Sequence, residues 1–131
     1  MRTIKFRGKG KIDCKWYFGN LYDKDTRGRT HICTINGGCL NIDPNTVGQF
    51  TGLYDKNRNE IYEGDILRFG KSPSGVCEVK WNEPVAAFCV RFYYEDNLGI
   101  RPLGAWQECE KSIEIIGNIH DNPELMKGGE K

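Results

Sequence analysis

The residues whose type and spacing are best suited to chemistry are cations near the start of the chain. Lys5, Arg7, Lys9 and Lys11 recur at every second position. Because successive side chains of a β-strand point to opposite faces, a strand through this segment would place all four on one face. Such a row suits contacts with phosphates, and Trp16, which opens an aromatic run, suits base stacking. These five residues form a candidate nucleic-acid contact.

The same cationic row has a purely structural interpretation. Lysines on the outer face of an edge strand discourage pairing with strands of other molecules. The formal net charge of the chain is only +1, and this near-balance argues against a protein built mainly to coat nucleic acid. The sequence favours a solvated edge strand and leaves nucleic-acid contact as the alternative.

Cysteine and histidine are the next candidates, with six and two residues respectively. The N-terminus alternates charge and lacks an apolar segment, so it is not expected to act as a signal peptide, and the cytosol favours free thiols. His31 and Cys33 would share one face of a strand, and with Cys39 and Cys14 they could supply the ligands of a zinc site. Because there is no Cys-x-x-Cys pair, free cysteines are favoured, and no metal or cofactor is expected.

Acid–base chemistry has one candidate pair, Glu63 and Asp65. The competing interpretation is structural, because Gly64 allows a backbone conformation that other residues resist and Asp65 can accept hydrogen bonds from nearby amides. The structural role is favoured. The chain also lacks the nucleotide-binding, nucleophile-elbow and zinc-protease motifs, so no catalytic residue is assigned and an enzyme is not expected.

The elements that must position these residues are almost all strands. Aromatic residues make up 11% of the chain, which favours β structure. A turn is predicted at residues 36–38, an asparagine-rich hairpin tip between 54 and 62, and a short C-terminal helix capped by Asn122. Alternation predicts strands at residues 3–9, 15–22, 29–35, 39–42, 47–53, 66–69, 76–81, 86–93, 102–108 and 112–120.

The short, closely connected strands from about residue 62 to 120 predict a small, partly closed barrel of the SH3-like kind. A barrel removes sheet edges that would otherwise need protection. The first part of the chain predicts an additional antiparallel sheet. The expected fold is therefore mainly β: a single domain of 131 residues, with candidate subdomains at 1–45 (sheet) and 46–126 (barrel) and a frayed tail at 127–131.

Four segments carry a resemblance to a known family. They are Ile4–Lys9 (IKFRGK), Thr46–Asn57 (TVGQFTGLYDKN), Glu60–Leu67 (EIYEGDIL) and Ile113–Met126 (IEIIGNIHDNPELM). Their order and spacing resemble the YopX family of phage and prophage proteins, while residues 70–110 match only in general character. The resemblance implies a β-rich fold and a phage or prophage origin, and no activity. Arg58 stands where the family usually has glycine, which leaves the turn type at the hairpin tip open.

These observations favour a non-enzymatic accessory protein that acts through protein contacts, with an unknown partner or with a second copy of itself. An exposed Tyr93 or Tyr94 beside Arg91 would suit a partner surface. No stretch approaches the roughly 20 apolar residues of a membrane span. We therefore expect a cytoplasmic protein of a bacterial host cell, without membrane contact, and keep nucleic-acid binding as the alternative function.

Overall fold

A computed structural model describes residues 2–71, 75–92, 101–103 and 112–130 of the chain. Within these ranges the protein consists of strands and three short 3-10 helices, Pro44–Thr46, Glu83–Val85 and Pro123–Glu130. None of the helices described is long and apolar enough to cross a membrane. The strands are β1 (Phe6–Lys9), β2 (Trp16–Tyr22), β3 (Thr30–Cys33), β4 (Cys39–Ile42), β5 (Gly48–Tyr54), β6 (Glu60–Tyr62), β7 (Asp65–Phe69), β8 (Val76–Asn82), β9 (Ala87–Phe92), β10 (Arg101–Pro102) and β11 (Ile113–Asn118).

The strands form two antiparallel sheets, ordered β4-β3-β2-β1-β5-β6 and β10-β9-β8-β7-β11. The predicted mainly β fold is confirmed, as are the N-terminal antiparallel sheet and the short C-terminal helix, which is of the 3-10 kind. Over the described residues the second sheet is open, with β10 and β11 at its edges, and there is no closed barrel. Asn122, predicted to cap this helix, accepts through its Oδ1 from the backbone N–H of Asn118 and through its carbonyl from that of Leu125.

The chain divides into two compact units, Met1–Gly52 and Leu53–Lys131. In the first unit β2 changes partner at Gly19: the residues up to Gly19 pair with β1, and the residues after it pair with β3. A Cβ atom at Gly19 would lie 2.2 Å from the carbonyl oxygen of Cys33, so only glycine allows this close approach of β2 and β3. Ile32 and Ile42 are fully buried in this unit.

The second unit has one apolar cluster built from inward-facing residues of its sheet and from β6. Phe92 belongs to this cluster, and Phe69 packs against it. The centroids of their two rings lie 5.9 Å apart, a separation typical of attractive aromatic pairs. Cys77 is fully buried in this cluster, and burial raises the pKa of its thiol to about 12. The buried members are Ile61, Leu67, Cys77, Val79, Val90, Phe92, Leu103 and Ile113.

Asp55 joins the hairpin tip between β5 and β6 to strand β11. Its Oδ1 accepts from the backbone N–H groups of Asn57 and Asn59, both at 2.9 Å, and its Oδ2 accepts from that of Ile115 at 3.1 Å. The residue is only 4% exposed, and a buried carboxylate is stable when its oxygens are satisfied in this way. In the same turn Arg58 has a positive φ of 68°, the conformation that glycine adopts at no steric cost.

The segment from Glu63 to Asp65 also serves the fold. Gly64 has a φ of 96°, so the predicted need for glycine is confirmed. Asp65 is 2% exposed, and its Oδ2 accepts from the backbone N–H of Tyr62 at 2.7 Å. A buried carboxylate bound to the backbone is poorly placed to exchange protons with a substrate, so the geometry favours the structural interpretation of this pair.

Candidate functional site

Hydrogen bonds hold the backbone of β1 along both of its edges. They fix the positions from which the cationic side chains project. The N–H of Phe50 donates to the carbonyl of Lys5 at 2.8 Å, and the N–H of Asp43 donates to that of Lys9 at 2.9 Å. The N–H of Lys9 in turn donates to Oγ1 of Thr46 at 2.8 Å. β1 also pairs with β2 and β5. The cations therefore stand on an inner strand of the first sheet rather than on an edge strand.

The register of β1 and β2 alternates cations with aromatic rings. Arg7 lies directly opposite Phe18, and Lys9 lies directly opposite Trp16. Directly opposite residues of an antiparallel pair share one face, and Lys5 belongs to the same face by its period of two. We call these five residues, Lys5, Arg7, Lys9, Trp16 and Phe18, the cation–aromatic face.

Three cations of this face lie over rings. Cζ of Arg7 is 4.6 Å from the centroid of the Trp16 ring, and Nζ of Lys9 is 5.7 Å from the same ring. Nζ of Lys5 is 5.7 Å from the ring of Phe50. These distances are within the range of cation–π attraction. The contacts with Arg7 and Lys9 hold the indole of Trp16 in place, so the face is preorganised.

The residues of the predicted cationic row differ in how deeply they are buried. Arg7 is only 7% exposed, so its guanidinium is stacked on Trp16 rather than presented to a ligand. Lys5 and Lys9 are half-buried, while Phe18 exposes 45% of its surface. Strand β1 ends at Lys9, so Lys11 lies in the exposed turn that follows and does not continue the row. The structure brings together four of the five sequence-predicted residues.

A second polar cluster surrounds the start of β3. Nε2 of His31 donates to Oδ2 of Asp25 at 2.9 Å, and Nε of Arg29 donates to the same oxygen at 3.0 Å. The backbone N–H groups of Arg27 and Arg29 donate to Oδ1 of Asp25 at 2.8 and 2.9 Å. The hydrogen bond from His31, followed by that from the Arg29 backbone, holds the pKa of Asp25 well below its usual range.

The expectation that all cysteines are free thiols is wrong for two of them. Cys33 and Cys39 form a disulfide across β3 and β4, where they are directly opposite in the register. Cys14 is a free, exposed thiol. Among the described residues no three histidine, cysteine, aspartate or glutamate side chains are grouped to hold a metal ion.

The sequence contained a signal for this disulfide. The turn predicted at residues 36–38 places Cys33 and Cys39 on the two strands of one hairpin, and the observed register, centred on Asn36, sets them directly opposite each other. The pairing of Asp25 with His31 has no comparable signal, because a loop connects them. Trp106, Cys109, Tyr93 and Tyr94, and most of the strand predicted at 102–108, lie outside the described residues.

The fold and the site define a mainly β protein with two antiparallel sheets and a partly exposed cation–aromatic face. The chain belongs to the YopX family, since the family described as YopX protein matches residues 5–127. Its fold is similar to the crystal structure of protein EF1440 from Enterococcus faecalis, with a TM-score of 0.59 and 23% sequence identity over 96% of this chain and 99% of that one. At this identity the likeness concerns the fold alone. A search of curated proteins gave no match.

Proposed function

We propose that this chain is a non-enzymatic binding protein that recognises another protein through its cation–aromatic face. The observation that carries the proposal is the alternation of cations and aromatic rings on one face of β1 and β2, which follows from their register. Phe18 on this face exposes 45% of its surface. Tryptophan and arginine are enriched among the residues that dominate protein–protein binding energies. Here Trp16 and Arg7 are already stacked on each other, which lowers the ordering cost of binding.

The chemistry of the face defines the kind of partner. Phe18 offers an apolar ring to a pocket on the partner, and Lys5 and Lys9 are half-buried cations that flank it. Carboxylates on the partner would complement the two lysines and accelerate encounter. The partner is therefore a protein surface with an apolar pocket rimmed by aspartate or glutamate.

The setting that we propose is a bacterial cytoplasm during the life of a phage or prophage. The four family segments support the phage or prophage origin. A non-enzymatic accessory role agrees with the contacts of Asp55 and Asp65, whose carboxylates bind backbone amides.

Photocrosslinking tests the proposal in two stages. A benzophenone amino acid at position 18 should yield a crosslinked host or phage protein, and the same probe at position 81, an exposed tryptophan of the second unit, should not yield it.

The captured protein is then purified, and its Kd for the wild-type chain is measured. Lys5→Glu combined with Lys9→Glu should weaken binding at least tenfold. The control, Lys71→Glu combined with Lys80→Glu, reverses exposed lysines elsewhere and should change Kd less than twofold. Equal loss in both pairs would contradict the assignment of this face.

A second copy of the chain is a specific case of a protein partner. Light scattering at increasing concentration distinguishes it from a foreign protein, because a dimer through this face should dissociate when Phe18→Ala is introduced. A monomer at all concentrations assigns the face to a foreign partner.

Nucleic-acid binding is the second candidate function, and one observation favours it. Lys5 and Lys9 share one face with two partly exposed rings, those of Trp16 and Phe18, and Lys11 lies two residues beyond Lys9 in an exposed turn. Cations beside exposed rings are the combination that single-strand binders use. Because Arg7 is buried, three lysines remain, and the logarithm of affinity should fall with that of salt with a slope of about −2 for a single strand. Anisotropy titrations with labelled DNA and RNA measure this slope. No binding at low salt removes the candidate, and binding that survives the Lys5→Glu and Lys9→Glu pair removes this site.

A further inference from the structure

We propose that the Cys33–Cys39 disulfide is a thiol–disulfide exchange site, in which His31, oriented by Asp25, stabilises the thiolate of Cys33 when the bond opens. The co-reactant is a dithiol, either a small molecule or a protein with a vicinal cysteine pair. The site is distinct from the cation–aromatic face and does not depend on the identity of its partner. It rests on the proposed cytoplasmic setting only in so far as cytosolic disulfides are usually transient and either catalytic or redox-sensing.

The position of the imidazole carries the argument. His31 and Cys33 are two residues apart on β3, so their side chains leave the same face of the strand, with Cα atoms roughly 6–7 Å apart. Tyr22 and Asn41 lie opposite His31 on the neighbouring strands, and Asn20 and Cys39 lie opposite Cys33. None of these four neighbours carries a formal charge at neutral pH, so among β3 and these neighbours His31 is the group that can bring positive charge to the disulfide.

The carboxylate of Asp25 fixes the orientation of the His31 ring. Asp25 is held by two backbone amides and by Arg29, and its Oδ2 accepts from Nε2 of His31. Nδ1 of His31 is buried and has no hydrogen-bond partner among the residues that the structure describes. A buried ring nitrogen without a partner is costly, and a thiolate formed at Cys33 would supply the negative acceptor that a protonated Nδ1 needs.

The two sulfur atoms differ in access, and this sets the direction of the reaction. Cys39 is exposed and Cys33 is half-buried. The incoming thiolate therefore attacks Sγ of Cys39, and the electron pair of the Cys33–Cys39 bond passes to Sγ of Cys33, which leaves as a thiolate beside His31. The second thiol of the reductant loses its proton to solvent and attacks the mixed disulfide. Cys39 leaves as a thiolate and takes a proton from water. The protein gains two electrons, and the dithiol becomes a disulfide.

The chain contains an internal standard for testing this site. Trypsin cleavage after Arg29 and Lys56 releases residues 30–56, whose cysteines are Cys33 and Cys39, and cleavage after Lys11 and Lys15 releases residues 12–15, which contain the free, exposed Cys14. In a Cys39→Ser variant, each of the two peptides then reports one thiol. The rate of alkylation of Cys33 by iodoacetamide at pH 7, divided by that of Cys14, measures the thiolate fraction of Cys33 independently of reagent concentration.

His31→Asn should lower this ratio about threefold, because a neighbouring cation raises the thiolate fraction of Cys33 more than it lowers the nucleophilicity of that thiolate. Asp25→Asn, which keeps the imidazole but removes its anchor, should lower the ratio by a smaller factor. His120→Asn, which changes the other histidine of the chain, should leave it unchanged. Circular dichroism checks that each variant folds, and Asp25→Asn provides the test if His31→Asn does not.

Exchange itself is measured on the chain with both cysteines. Dithiothreitol should reduce the Cys33–Cys39 bond in the folded protein, and His31→Asn should slow that reduction by a similar factor. A ratio that stays within twofold in both His31→Asn and Asp25→Asn would overturn the role of His31. Reduction that occurs only after denaturant unfolds the protein would overturn the exchange site as a whole.

Discussion

The two units of this chain use their polar side chains in opposite ways. In the second unit the carboxylates of Asp55 and Asp65 are buried and bind backbone amides. In the first unit the chemically distinctive groups stand at or near the surface: Phe18 exposes 45% of its area, and Cys39 is exposed. The turn residues of the YopX segments are thus structural. The exchange groups lie outside those segments, and the cation–aromatic face lies partly in the first of them, which contains Lys5, Arg7 and Lys9.

This contrast shows that the residues by which a family is recognised need not be the residues that bind a ligand. Turn residues such as Asp55 and Gly64 are restricted because few side chains satisfy a tight backbone, whatever the protein binds. Exposed residues such as Phe18 are restricted only by what they contact. A recognisable motif in a small β protein is therefore evidence of fold first.

The largest effect is expected at Asp55, where the contrast is sharpest. Asp55→Ala removes three hydrogen bonds to backbone amides and leaves those N–H donors without their carboxylate acceptor. We expect a loss of about 3 kcal/mol in the free energy of unfolding, measured by urea denaturation. Asp55→Asn keeps an acceptor for the turn but can place its amide against Ile115, and should cost less.

The matched control for this experiment is Glu124→Ala, which removes an exposed carboxylate from the C-terminal 3-10 helix. It should change stability by less than about 0.5 kcal/mol. A loss at Asp55 no larger than that of the control would contradict the structural role assigned to the motif.

A smaller loss in the free energy of unfolding is expected at Gly19, where β2 changes partner. Gly19→Ala places a Cβ atom 2.2 Å from the carbonyl oxygen of Cys33, and because that oxygen belongs to the backbone, β2 and β3 must move apart. The expected cost is about 2 kcal/mol. Gly38→Ala is the control, since a Cβ there meets nothing nearer than 4.0 Å. Equal melting temperatures for the two variants would show that β2 and β3 do not approach each other at Gly19 as closely as described.

The disulfide of the first unit should contribute a similar amount. Replacing both Cys33 and Cys39 by serine removes a closed loop with a sequence separation of 6, and the loop-entropy relation gives a loss of about 2 kcal/mol for so short a loop. Cys14→Ser should have little effect, because Cys14 is free and exposed. A double variant as stable as the wild type would mean that the bond is not formed in the folded protein.

The smallest effect is a gain in the second unit. Arg58 has a positive φ, and glycine relieves this strain at some cost in the entropy of the unfolded chain. Arg58→Gly should raise the free energy of unfolding by roughly 0.5–1 kcal/mol. Asn57→Gly, one residue earlier in the same turn, lacks a positive φ and should be destabilising. A gain at position 57 instead would contradict the assigned turn.

The sequence predicted much of this fold because alternation and turn residues are local signals. The strand at 39–42 and the turn at 36–38 follow directly from such patterns. The open second sheet did not, because whether edge strands meet depends on sheet curvature and on long-range pairing. At the candidate site, the period of two predicted the shared face of Lys5, Arg7 and Lys9, but the burial of Arg7 against Trp16 depends on the register with β2.

The central claim is that the first unit binds a protein partner through its cation–aromatic face. The most direct test is the Kd of the purified, crosslink-identified partner for Phe18→Ala and for Trp81→Ala, which truncate exposed rings of the first and second units. We predict at least a tenfold weakening for Phe18→Ala, equal to about 1.4 kcal/mol, and less than a twofold change for Trp81→Ala. Unchanged binding by Phe18→Ala, or a larger loss with Trp81→Ala, would contradict the claim.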